Sequence, residues 1–97
     1  MKLEDKLFEA CKRGNLEEVK LLVSQGVNIH ASYDCALRLA SRNGHLDVVK
    51  YLVSKGADIH ASDDDALCLA SHYDHLDVVS YLEGQKLKEK LLAVDNL

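Results

Sequence analysis

Residues Gly44 to Ser62 read GHLDVVKYLVSKGADIHAS, and thirty residues earlier the same places read GNLEEVKLLVSQGVNIHAS. Slid against itself by thirty, the chain matches without a gap. Asp34 to Leu52 agrees with Asp64 to Leu82 at 13 of 19 positions, and Lys20 to Tyr33 agrees with Lys50 to Asp63 at 9 of 14. A fixed period of this length means one small supersecondary unit, copied and stacked. The spacing predicts three units at about 4–33, 34–63 and 64–83 in a single domain, 1–97.

Each unit reads as two short helices. In the second, Ala36, Leu37, Leu39 and Ala40 make one apolar stripe, and Leu46, Val48, Val49, Leu52 and Val53 make another at spacings of three and four. Asn43-Gly44 supplies the turn between them, Gly56 a left-handed stop after the second helix, and Ala57 to Ser62 an extended exit. Asp34 stands where it can cap its own helix. Neither helix hides its stripe alone, so the units must stack. Small residues at Ala10, Ala40 and Ala70, and at Cys11, Ser41 and Ser71, let the first helices approach closely. The fold class is all-α, a short solenoid held by nearest-neighbour contacts.

The run from Gly44 to Ile59, G-H-L-x-V-V-K-x-L-V-x-x-G-A-D-I, resembles the second half of an ankyrin repeat. Ala36 to Ser41 and Ala66 to Ser71 occupy the place of that family's T-P-L-H-L-A-A. The family period is about 33 residues. The three missing here fall at the β-hairpin tip, so the resemblance implies shortened tips, with Asp34 and Asp64 replacing the family's capping threonine. Among ankyrin proteins, the thirty-residue form is most similar to those of giant viruses of amoebae. The resemblance also implies that His45 and His75 bond across the inter-helix turn and that His30 and His60 make polar contacts at the tips.

The third unit changes its ending. Gly84-Gln85-Lys86 replaces Ser54-Lys55-Gly56, and the following LKEKLLAV sets Leu87, Leu91 and Val94 on one helical face. A capping helix at about 86–94 is the structural reading; an amphipathic helix for a partner or a membrane surface is the other. The first unit is polar outside Leu3, Leu7, Phe8, Ala10 and Cys11, so both ends read as those of a complete small protein.

Composition narrows the chemistry. A net charge of −4 disfavours general nucleic-acid binding, although Lys12, Arg13, Arg38 and Arg42 leave a salt-sensitive version open. Three cysteines without C-x-x-C spacing indicate reduced thiols and an intracellular, cytoplasmic setting, in a host cell if the source is viral. The N-terminus lacks a signal-peptide core, and no apolar run is long enough for a membrane span. Cys68 and His72 share a helix face, but His75 lies past the turn, so the set falls short of the three or four ligands zinc takes. Cys11, beside Lys12 and Arg13, is the single hint of a nucleophile, and its repeat equivalents Ser41 and Ser71 argue for packing. Asp63-Asp64-Asp65 reads as a solvated turn. No enzyme, metal or cofactor is expected.

What varies between units while the core stays constant is one surface. The resemblance implies a concave face carrying Lys12, Arg13, Arg42, Asn43, His72 and Tyr73 at the ends of the first helices, with Arg38 and the turn residues Ser32, Tyr33, Asp63 and Asp64. The expected function is a non-catalytic module, a monomer, that binds a protein partner there. The alternative is a structural mini-solenoid that self-associates or has no specific ligand.

Overall fold

The computed structural model describes residues 2–95, the side chains of Val94 and Asp95 excepted. Six helices follow in order: α1 (Leu3–Arg13), α2 (Leu16–Ser24), α3 (Ala31–Arg42), α4 (Leu46–Ser54), α5 (Ala61–His72) and α6 (Leu76–Asp95). They pair as three helix-turn-helix units. The first helices α1, α3 and α5 pack side by side, and α2, α4 and α6 form a second layer, in a molecule whose longest extent is 46 Å. Every element among the described residues is helical, so the chain is an all-α solenoid with a C-terminal helix.

Alternate layers of one continuous core come from equivalent positions. Leu7 and Leu37, Val19 and Val49, Leu52 and Leu82, and the alanines 10, 40 and 70 are all excluded from water. The alanines let α1, α3 and α5 lie close, and each buried leucine contributes about 1.5–3 kcal/mol. Ser41 is buried at the same layer as Cys11, but its hydroxyl finds no hydrogen-bond partner among the described residues.

Within each unit the helices end on backbone hydrogen bonds that require a left-handed residue. Gly14 and Gly44 take φ of +74° and +73°, and the N–H of the next residue returns to Ala10 or Ala40 at 2.9 Å. Gly26 and Gly56 end α2 and α4 the same way, with Val27 and Ala57 donating back to Leu22 and Leu52. The corresponding position in the third unit is Lys86, which disfavours the left-handed region. The stop is therefore lost. Where the sequence predicts a separate cap at about 86–94, α6 runs without interruption through Gly84 to Asp95. The expected place of Val94 beside Leu87 and Leu91 lies outside the described side chains.

The tips also differ from expectation. Instead of an extended exit and a tight turn, Ser32, Tyr33 and Asp34 form a left-handed turn with φ of 56°, 58° and 56°, and residues 62–64 repeat it. Asp34 consequently points away from its own helix. Its carboxylate accepts the N–H of Asp58, in the loop that follows α4 of the same unit, at 2.7 Å and faces His30 Nδ1, from the end of the preceding unit, at 3.1 Å. It caps the exit loop of its unit, not its own helix.

The histidines after the glycines are the second correction. His45 does not bond within its own turn; its Nε2 meets the carbonyl of Lys12, in the preceding unit, at 2.9 Å. The ring lies flat over Gly14, where an added Cβ would come within 2.5 Å of Nδ1, and His75 covers Gly44 in the same manner. Glycine is needed at these two positions for room as well as for φ. Among the described residues no histidine ring covers the third unit, and there Asp74 holds the left-handed conformation, with φ of 61°.

Three stability outcomes follow from this packing. Gly44→Ala should lose about 1–3 kcal/mol in urea unfolding, because it meets both strain and the His75 ring, whereas Asp74→Gly should lose no more than about 0.5 kcal/mol. Ser41→Ala should gain about 1 kcal/mol, since it removes a buried hydroxyl that bonds to nothing.

Candidate functional site

The ends of the first helices bring three of the predicted residues into one cluster. Arg42 Nη2 donates to the Tyr73 hydroxyl at 3.3 Å, and its guanidinium carbon lies 5.3 Å from the centre of that ring. His72 meets the same ring edge-on, with centroids 4.8 Å apart. All three are exposed, so the cluster presents a planar cation, a phenol and an imidazole to solvent. Arg42 comes from the second unit and the rings from the third; stacking, not the local chain, assembles them. Lys12 and Arg13 stand in the equivalent place one unit earlier, both exposed, with Lys12 3.9 Å from Glu9.

Other predicted residues belong to the scaffold. Arg38 is spent between units: its Nε pairs with Asp65 at 2.9 Å, and Nη1 donates to the Ser32 carbonyl at 3.2 Å. Asn43 donates to the Leu39 carbonyl at 3.0 Å and finishes α3. Asp64 lies between His60 Nδ1 at 2.5 Å and Lys86 Nζ at 2.9 Å, which together hold its carboxyl below the ordinary 3.8, Lys86 contributing most. Tyr33 is the opposite case, 78% exposed at its tip, as is Asp63. An open hollow of about 780 Å³ separates the successive tips, and Tyr33, Asp63, His30 and His60 are among its lining residues.

Two features escaped sequence reasoning. The first is a ladder on the second helices, where Lys20 lies 5.8 Å from the Tyr51 ring centre and Lys50 5.8 Å from that of Tyr81. Its signal was present: the first unit has Leu21 in place of the tyrosine, and the third has Ser80 in place of the lysine. The second is the pair Lys86 and Glu89, which reach back from α6 to Asp64 and His60.

Among the described residues no three His, Cys, Asp or Glu side chains gather as a metal site, and Cys68 and His72 line a hollow whose lining does not include His75. Cys11 is fully buried, and burial pushes its thiol up to about 12, with the nearby Cys35 adding to the rise. It therefore carries no thiolate at neutral pH. No helix of the structure is long and apolar enough to cross a membrane. Titration with an aromatic disulfide reagent should label the exposed Cys68 first, while Cys11 reacts only on unfolding; rapid native labelling of Cys11 would contradict its burial.

Three stacked helix-turn-helix units, the first two with glycine-ended helices, agree with what sequence comparison finds. A family model described as ankyrin repeats (3 copies) matches residues 4–63, more than half of the chain. An ankyrin repeat protein of Acanthamoeba polyphaga mimivirus is 54% identical over 39 residues, 40% of this chain. The matched stretch spans only 17% of that viral protein's length. Ankyrin repeats are generally protein-interaction modules without catalysis of their own. With the family model covering residues 4–63 and the helices stacked as described, this chain belongs to the ankyrin repeat family.

Proposed function

We propose that the chain is a non-catalytic, intracellular interaction module that binds a protein partner on the face formed by the ends of its first helices. The observation that carries the reading is the exposed Arg42–Tyr73–His72 cluster. Such residues are unusual as simple solubilising groups, because arginine and tyrosine supply large, specific contact area at little entropic cost. Lys12 and Arg13 extend the row with positive charge, and Tyr33 and Asp63 stand at the tips beyond it. A partner segment with acidic residues and an aromatic or apolar anchor suits that combination.

The contact residues differ between units while most of the buried ones, such as Leu7 and Leu37 or the alanines 10, 40 and 70, do not, which separates what the stack requires from what is free to recognise something. Arg38, Asn43 and Asp64 contribute by holding the helix ends and tips that carry the contacts. A second reading, self-association, draws on the exposed Leu76, Leu87 and Leu91 of α6. Light scattering over a concentration series separates the two, and a strict monomer removes self-association.

The test is cross-linking and affinity capture with the intact chain, followed by binding measurements on the captured protein. Arg42→Glu and Tyr73→Ala should each weaken binding by about 2 kcal/mol, roughly 30-fold, and leave urea unfolding unchanged. A partner indifferent to both substitutions would place the contact elsewhere.

A further inference from the structure

We propose that His60 is a pH-dependent latch on the C-terminal part of α6, holding residues 87–95 against the tip of the third unit while its imidazole is charged. The geometry differs from that of the repeat-equivalent His30. His30 offers only Nδ1 to a carboxylate, that of Asp34, a contact that one neutral tautomer satisfies. His60 has carboxylate oxygens on both ring nitrogens: Asp64 at 2.5 Å from Nδ1 and Glu89 at 2.6 Å from Nε2. A neutral imidazole has one N–H, so it must turn a lone pair toward one of these anions. Only the imidazolium donates to both.

Position decides what this latch controls. At the inner junction Asp34 receives the backbone N–H of Asp58, a donor that does not titrate in this range. The third unit has no following loop, and Lys86 and Glu89 of α6 take over that junction with side chains. The groups around His60 are Asp58, Asp63 and Asp64 from its own segment, Lys86 and Glu89 from α6, and His30 and Asp34 across the hollow. Most are acidic, and all the acidic ones favour the charged ring. Lys86 stays tied to Asp64, which raises its ammonium above the ordinary 10.5, so release begins beyond it. There Leu87 and Leu91 are 58% and 57% exposed, and little apolar burial opposes the movement. Gly84, inside α6, weakens the helix just before this segment.

The sign follows from the ring's partners. Glu89 first and Asp64 second hold the His60 imidazolium above the ordinary 6.5, against a small cost of burial. Docking is therefore complete below pH 6.5 and fades as pH rises through the elevated value. Release uncovers His60 at the tip of the third unit and takes Leu87 and Lys90 out of the wall that α6 forms beside Leu67, while Asp64 keeps Lys86. Binding at that edge of the molecule becomes sensitive to mild acidity.

Amide hydrogen exchange on the intact chain, corrected for intrinsic rates, tests this at about pH 6 and about pH 9. Amides of residues 88–93 should lose protection several-fold at the higher pH, while α3 and α4 keep theirs. The fold-change should equal the ratio of His60 acid constants with the helix docked and released, which an NMR titration of the ring supplies. In Glu89→Gln, whose side chain is exposed, protection should be low at both pH values and the His60 titration should move to lower pH. Equal protection at both pH values in the parent chain overturns the proposal. So does a pH dependence that survives unchanged in Glu89→Gln.

Discussion

No helix in this protein can hide its apolar stripe without a neighbouring unit, and the rest of the structure depends on that. Burial of Leu37, Val49 and the alanines 10, 40 and 70 drives stacking, but it is non-directional and would tolerate sliding. Polar contacts set the register. His45 over Gly14, Lys20 beside Tyr51 and Arg38 on Asp65 each join one unit to the next at a different point. Together they fix the rotation between units, and that rotation puts Arg42 against Tyr73.

The two ends show how this logic stops. In the first unit, Asn15 stands where later units have the bridging histidine, and it caps α2 through the Glu18 N–H at 3.2 Å. In the third, Asp74 replaces the glycine notch, Ser80 the lysine, and Lys86 the glycine that would end the helix. Equivalents of fully buried residues become accessible there: Leu67 is only half-buried, and Ser71 is exposed where Ser41 is not. The prolonged α6 covers part of that boundary with charged groups.

Much of the fold was legible because periodicity reports which faces are apolar. The period gave the units, the glycines gave the turns, and the small residues marked the close approach of the first helices. What sequence could not resolve is how far along the chain a polar side chain reaches. His45 to Lys12 is a separation of 33 residues, near the period, and Asp34 to Asp58 is one of 24 inside a single unit. Neither distant partner leaves a local trace, so Asp34 reads as a cap for its own helix and His45 as a link across its own turn. Arg38 reads as a surface cation for the same reason, because its partner Asp65 has no acidic equivalent at Cys35. By sequence the third unit ends at 83 and a separate helix starts at 86, where α6 is continuous; a helix ends where a left-handed residue stops it, and Lys86 disfavours that conformation.

The ring-over-glycine contact also gives the stack a direction. Every unit that carries a histidine fits onto one that offers a notch, and only the middle unit has both. A tandem duplication of residues 34–63 would therefore insert a copy that mates on either side, whereas a duplicated first or third unit would present a missing ring or a filled notch. Lengthening of such an array can proceed from its centre, leaving the two specialised ends, and the surfaces they carry, where they are.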